Sequence, residues 1–189
     1  MPSAKSEIEV KIAVESAAAA RKRIRAAGFA IHVPRVFEAN VLYDFADSRL
    51  RAQGKIIRLR QAGKVYTMTF KGKSQNTRHK IREEVETTLE HSEAVRRIFS
   101  ELELQPVFRY EKYRTEYVNG QSRGVITLDE TPIGTFLEIE GPPRWIDRAA
   151  RQLGFSPDDY ITASYGVLYL QYCKDMGLKP SNMVFGGKR

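Results

Sequence analysis

Seven bases and seven acids stand in this chain at spacings that place them on shared strand faces. Glu7, Glu9 and Lys11 come first, then Arg58 and Arg60, Lys71, then Arg82, Glu84 and Glu86, Lys112 and Arg114, Asp129, and finally Glu138 and Glu140. Residues i and i+2 of an extended strand point to the same side. The pairs Glu7/Glu9, Arg58/Arg60, Lys112/Arg114 and Glu138/Glu140 therefore set like charges roughly 6.5 Å apart on one face. Like charges so placed repel unless something of opposite sign lies between them. Any one such strand reads most simply as the solvated side of a sheet. The set does not, because solvated faces usually mix Thr, Ser and Gln with isolated charges. Arginine offers a phosphate two parallel hydrogen bonds and lysine a point charge. Paired carboxylates suit hard, oxygen-seeking cations such as Mg²⁺ or Mn²⁺. Together they point to a polyphosphate bound with a divalent metal, and their near-equal numbers let a partly buried polar interior persist without ligand.

The elements that must carry these charges can be read from periodicity. Eight stretches alternate with period two: EIEVKIAV, VFEANVLYDF, IIRLRQ, VYTMTFKGK, HKIREEVETTL, FRYEKYRTEYV, GVITLD and GTFLEIEG; this predicts a sheet of about eight strands, enough for a barrel. Glu83 interrupts the apolar side of one of them. Three amphipathic helices lie between strands. Ser16 caps the first and Gly28 closes it; Ser92 opens the second; Pro143 begins the third, which ends at Gly154. A further short helix is expected in SYGVLYLQYCKDMGL. If the apolar strand faces turn outward beneath the helices, the charged faces line a tunnel. The fold class is thus α+β, an eight-stranded antiparallel barrel with helices packed outside. No linker divides the chain, so residues 1–189 read as one domain with a core at about 5–178 and a loose tail at 180–189.

Composition narrows the setting. The 189 residues are 42% hydrophobic and 29% charged, with a net charge of +8, which favours anionic partners. No apolar run reaches the roughly 18 residues a membrane helix needs, and the first residues lack a secretory pattern, so a cytoplasmic protein is expected. Cys173 is the only cysteine, which excludes an intrachain disulfide and a cysteine-based zinc cluster. His32, His79 and His91 lack metal-ligand spacing and read as structural or solvated. Tyr43 reads as core, while Asn40 and Asp44 face the tunnel. Lys73, Arg78 and Lys80 fall in a loop-like stretch where solvation is the default. Ser164 and Tyr165 lie in a segment that could close one end.

In order along the chain, Glu7-Ile8-Glu9-Val10-Lys11, Arg58 and Arg60 in RLR, Lys71 in TFK, Arg82 to Glu86 in REEVE, Lys112 and Arg114 in KYR, Asp129 in LD, and Glu138 and Glu140 in FLEIEG resemble the CYTH family of triphosphate tunnel metalloenzymes. The resemblance runs from about residue 7 to 172. It implies an eight-stranded antiparallel tunnel, dependence on Mg²⁺ or Mn²⁺, and a triphosphate-bearing substrate such as inorganic triphosphate, thiamine triphosphate or ATP. By the same resemblance Glu7, Glu9, Glu138 and Glu140 would hold metal, with Asp129 as a further ligand or a group that positions water. Lys11, Arg58, Arg60, Lys71, Lys112 and Arg114 would bind phosphates and act in catalysis with Asp129, and Arg82 would join the binding set.

Two chemistries need nearly the same tunnel. Water attacking the terminal phosphorus gives a triphosphatase; a ribose 3′-hydroxyl attacking the α-phosphorus of ATP gives cyclic AMP and pyrophosphate, as in class IV adenylate cyclases. Hydrolysis is the simpler expectation, since no adenine or ribose pocket is legible. A non-catalytic polyphosphate or nucleic-acid binding module is the third reading. The carboxylate pairs argue against it, so nucleic acid is not expected as a partner. A homodimer is left open.

Overall fold

Strands form where the alternation runs, and the structure, a computed structural model, describes residues 5–76, 78–120 and 123–186. They are β1 (Lys5–Val14), β2 (Ala30–Asp44), β3 (Ile56–Ala62), β4 (Val65–Lys71), β5 (Gln75–Asn76), β6 (Lys80–Leu89), β7 (Gln105–Val118), β8 (Val125–Thr131) and β9 (Gly134–Glu140). The order β1-β9-β8-β7-β2-β3-β4-β6 closes on itself, because β1 also pairs with β6, and every pairing in this ring is antiparallel. The two-residue β5 is an addition beside β6. The result is the expected eight-stranded closed barrel.

Helices cover its outer side. They are α1 (Ala17–Ala26), α2 (Arg49–Ala52), α3 (Ser92–Glu101), α4 (Pro143–Gln152) and α5 (Tyr165–Asp175). Ser16 accepts from the Ala19 amide at the start of α1, and Gly28 follows its end at φ +81°. Pro143 opens α4 and Gly154 follows it at φ +83°, the left-handed conformation a helix exit needs. The largest cluster joins Val10 and Ile12 of β1, Ile126 and Leu128 of β8, and Leu137 and Ile139 of β9 to Ala20 and Ile24 of α1 and Ile146 of α4. Each of these large side chains is at most 1% exposed. Burying one contributes about 1.5–3 kcal/mol, whereas buried ion pairs contribute little net. The outward apolar layer therefore holds the barrel closed, and the charges inside are tolerated by it. A second cluster sets Phe99 of α3 and Leu104 against Tyr43 and Leu59. Tyr43 is core as expected, edge-on to Phe99 with ring centroids 4.9 Å apart. A third places Tyr165, Tyr169 and Cys173 of α5 against Tyr110 and Phe136 at one end of the ring.

Four expectations need correction. His91, not Ser92, precedes the first turn of α3, and its side chain makes no capping bond. The short α2 was not legible: Asp44 accepts from the Phe45, Leu50 and Arg51 amides, so this carboxylate organises the turn after β2 and does not face the tunnel as a ligand. Lys73 and Arg78 are exposed as expected, but Lys80 is not: His79 and Lys80 are each 7% exposed. The tail is docked through Phe185: Met183 is fully buried, its amide donates to the Arg109 carbonyl and its carbonyl accepts from the Glu111 amide, while Phe185 rests on Tyr113 at 5.3 Å. Residues 187–189 of that expected tail lie outside the described residues. Among the described residues no helix is long and apolar enough to cross a membrane.

Candidate active site

Register carries the charges inward. Lys11 stands opposite Glu138 and Glu9 opposite Glu140 across β1 and β9; Glu7 faces Arg82 and Glu9 faces Lys80 across β1 and β6. Arg58 is opposite Thr69, Lys71 opposite Glu84, and Arg114 opposite Asp129. These inner positions surround a cavity of about 490 Å³. All seven bases named from sequence (Lys11, Arg58, Arg60, Lys71, Arg82, Lys112 and Arg114) line it, as do Glu7, Glu9, Glu138 and Glu140.

Six of these bases are each held by a carboxylate. Lys71 lies 2.7 Å from Glu7 and 3.1 Å from Glu84. Lys11 lies 3.1 Å from Glu9 and 3.0 Å from Glu138, and Arg114 reaches Glu138 on its other side. Arg60 contacts Glu86 at 3.3 Å; Arg58 donates to Thr69 at 3.0 Å and sits 3.6 Å from Glu86. Arg82 differs, spending its guanidinium on the Gly72 and Gly54 carbonyls. It fixes the connections after β4 and α2 more than it presents charge.

Burial pushes the Glu138 and Glu9 carboxyls up, and neighbouring ammonium and guanidinium groups, Lys11 foremost, overcome it, so both lie below the ordinary range. Glu7 goes the other way: burial outweighs Lys71, and Glu9 and Glu84 add repulsion, raising it to about 7. Burial and the nearby Lys11 hold Lys80 below its usual value, although its Nζ donates to Glu9 at 2.6 Å. Arg114 is raised well above its ordinary value: burial opposes, and Asp129 and Glu138 prevail.

Asp129 does not line the cavity. Its side chain is fully buried behind the bases, and its two oxygens accept from Arg114 Nε at 2.7 Å, Arg114 Nη2 at 2.6 Å, Lys112 Nζ at 2.8 Å and the Tyr165 hydroxyl at 2.7 Å. With its lone pairs so used, Asp129 fits the role of orienting Lys112, Arg114 and Tyr165 and not the metal or water-positioning role expected of it. Tyr165 also sets its ring 5.2 Å from Lys11 Nζ and 5.3 Å from Lys112 Nζ, so the first turn of α5 is tied to the lysines of two strands.

Two charged groups belong with this set although they were not singled out as site residues. Glu38, 3% exposed, lies 3.6 Å from Lys112 and 3.8 Å from Arg60; burial works against its charge, but Lys112, Arg114 and Arg60 hold it down to about 2. Its parity with Asn40 was the available signal. Lys80 shares parity with Arg82. Asn40 is fully buried and neither of its amide atoms has a hydrogen-bond partner.

The oxygen-only donors Glu9, Glu138 and Glu140 suit a hard divalent cation, and two neighbouring strands supply them. Lys11 Nζ stands between Glu9 and Glu138, where it does the neutralising. Among the described residues no three carboxylate, histidine or cysteine groups converge on one point. Of the expected set Glu7, Glu9, Asp129, Glu138 and Glu140, the carboxylates Glu9, Glu138 and Asp129 are linked through shared bases, Lys11 joining Glu9 to Glu138 and Arg114 joining Glu138 to Asp129, while Glu7 pairs with Lys71.

Comparison with known proteins accords with this architecture. The CYTH domain family model matches residues 5–165. A Methanocaldococcus jannaschii protein named "Putative adenylate cyclase" is 26% identical over 134 residues, covering 71% of this chain and 75% of that one. A Vibrio parahaemolyticus structure described as "a putative adenylate cyclase" superposes with a TM-score of 0.75 at 20% identity, over 88% of this chain and 98% of that one. A Hippeastrum protein described as a "putative adenylyl cyclase" that "reveals a dominant" triphosphatase activity gives a TM-score of 0.65 at 19% identity, over 87% of this chain and 95% of that one. These structural likenesses concern the fold.

Proposed function

Because the chain belongs to the CYTH domain family, we propose that it is an enzyme that binds a triphosphate-bearing substrate inside the tunnel and hydrolyses it with the help of a divalent cation, Mg²⁺ or Mn²⁺. The observation that carries this reading is the set of six bases, Lys11, Arg58, Arg60, Lys71, Lys112 and Arg114, each with a carboxylate partner and each lining one cavity. A triphosphate entering that space offers the bases a denser negative charge. Lys11, Arg58, Arg60, Lys71, Lys112 and Arg114 then exchange carboxylate partners for phosphoryl oxygens. The exchange strips Glu7, Glu9 and Glu138 of their counter-charges, and an uncompensated buried carboxylate is costly. A divalent cation held by Glu9, Glu138 and Glu140, when bound, supplies that positive charge and neutralises phosphoryl oxygens. Guanidinium and ammonium groups preset around the chain stabilise the charge that spreads over its equatorial oxygens, while Asp129 keeps Lys112 and Arg114 aimed.

Cyclisation of ATP is the second reading, and the names of the Methanocaldococcus and Vibrio relatives favour it; the description of the Hippeastrum protein favours hydrolysis. The test is incubation with inorganic triphosphate, thiamine triphosphate or ATP plus Mg²⁺ or Mn²⁺, with phosphate, pyrophosphate and cyclic AMP resolved. Phosphate release without cyclic nucleotide supports hydrolysis; cyclic AMP with pyrophosphate replaces it with cyclisation. Glu138→Gln is expected to slow turnover by on the order of a hundredfold with the fold retained, and an undiminished rate would remove Glu138 from the mechanism.

A further inference from the structure

Along one edge of β1 the pairing partner changes beside the two buried lysines that share Glu9. The ladder with β6 ends where Glu9 meets Lys80. Two residues on, the same edge is taken over by Ile161, in the connection between α4 and α5. There the Lys11 amide donates to the Ile161 carbonyl at 2.9 Å and the Ile161 amide to the Lys11 carbonyl at 2.8 Å. The other edge at Lys11 belongs to Glu138 of β9. On the inner side of this seam Lys80 Nζ and Lys11 Nζ lie 2.6 and 3.1 Å from one oxygen, Glu9 Oε1, and both lysines line the cavity.

The outer side of the seam carries a second polar cluster. The residues preceding Lys80 and Ile161 are His79 and Tyr160, and both end on the same carboxylate oxygen of α4. His79 Nε2 lies 2.9 Å from Asp147 Oδ1, and the Tyr160 hydroxyl donates to that oxygen at 3.0 Å. A carboxylate only accepts, so the His79 ring presents its Nε2–H. The two rings are 5.9 Å apart, and the exposed Arg78 lies 3.8 Å from the other Asp147 oxygen. Burial works against the Asp147 charge, but the bonds from His79 and Tyr160 outweigh it and hold the carboxyl below its ordinary value. Asp147 thus brackets the two segments that pair with β1 one after the other. Apolar contacts alone would seal the seam, but they have no direction. Hydrogen bonds to one oxygen fix where each segment sits along β1, and a displacement of about 1 Å at a reacting site can cost on the order of a hundredfold in rate.

We infer that Asp147 is a positioning residue: by holding His79 and Tyr160 on the outside of the barrel, it fixes the segments that set Lys80 and Lys11 on Glu9, and so raises the affinity of the tunnel for a metal-bound triphosphate. The inference rests on the triphosphate reading of the tunnel and adds to it a group that never touches the substrate.

The test is calorimetric titration of inorganic triphosphate with Mg²⁺ into the wild type, Asp147→Ala, Asp147→Asn and His79→Ala, well below the melting temperature of each. Asp147→Ala and His79→Ala are expected to weaken binding by about tenfold, the scale of one displaced hydrogen bond to a charged group. Asp147→Asn keeps the oxygen that accepts from both partners and is expected to restore most of the affinity. A contact that only stabilises the fold would lower the melting temperature and the fraction of binding-competent protein, which calorimetry reads as stoichiometry, and leave the dissociation constant at its wild-type value. That outcome in the alanine variants overturns the inference and leaves the triphosphate reading standing. Equal losses in Asp147→Asn and Asp147→Ala also overturn it, because charge and not the hold on His79 and Tyr160 would then be at work. The alanine variants lie on different segments, so loss of one to misfolding leaves the other. Failure of the wild type to bind overturns the triphosphate reading and the inference with it.

Discussion

Replacing Asp129 by Asn separates orientation from metal binding. The substitution keeps the shape of a fully buried side chain but removes the charge that faces Lys112 and Arg114, whose side chains are 3% and 13% exposed. It also brings an amide NH₂ into a ring made wholly of donors: two from Arg114, one from Lys112 and one from Tyr165. Removing one partner of a buried ion pair costs about 3–5 kcal/mol. Each base here keeps a second carboxylate, Glu38 at 3.6 Å for Lys112 and Glu138 for Arg114, so the lower figure, about 3 kcal/mol, is expected. For a chain of this length that lowers the melting temperature by about 6–12 °C. The assay is thermal denaturation of wild type and Asp129→Asn, first with a chelator and then across a Mg²⁺ titration. An orienting Asp129 produces the full loss already in chelator, and Mg²⁺ stabilises both proteins by similar amounts. A metal-ligating Asp129 predicts matched curves in chelator that diverge as Mg²⁺ is added. That second pattern would refute the reasoning from saturated lone pairs.

Glu38→Gln should flatten the acid limb of the stability curve. The Glu38 carboxyl, ordinarily near 4.5, is held down to about 2 in the fold, so its charge stabilises above about pH 4.5 and that contribution fades as pH falls towards 2. Urea midpoints of variant and wild type should differ most above pH 4.5 and converge near pH 2; a constant gap would reject the assigned shift. Gly124→Ala is expected to destabilise by about 1–3 kcal/mol, because a Cβ there would lie 2.4 Å from the Trp145 ring and 2.5 Å from the Glu140 carbonyl. A melting temperature equal to wild type would show that Trp145 moves aside freely.

What the sequence made legible follows from the range of each interaction. Period-two alternation is local, so the inner placement of Glu9, Lys11, Arg58, Arg114 and Glu138 could be read from neighbours two positions away. Ring closure then needed only that apolar faces find helices, and the Ala20/Ile24 and Ile146/Ala149 stripes announced them. Asp129 shares the inward parity, yet its occupation by four donors depends on β7 and on α5 and has no trace in its own segment. Asp44 misled for a related reason: its partners are amides of a four-residue helix too short to show a period. Lys80 was hidden because the preceding Ser, Asn and Thr residues read as loop, although the strand parity of Arg82 reaches back to it. Met183 opens the short apolar run Met183-Val184-Phe185 between Ser181-Asn182 and Gly186, too brief to show a period, so nothing local distinguishes a docked segment from a free one.

The closed ring also sets an order of events during folding. Each hairpin, such as β3 with β4 or β8 with β9, joins neighbours a few residues apart and can zip quickly. β1 is different: it lies between β6 and β9, so its two edges are completed by segments roughly seventy and a hundred and thirty residues downstream. Contacts of such long sequence separation are slow to form. Until β9 arrives, the Val10 and Ile12 side of β1 has no complete cover, and an open edge beside an apolar face invites pairing with another nascent chain. The last step of assembly, seating β1 against β9, is therefore the one most exposed to a wrong partner.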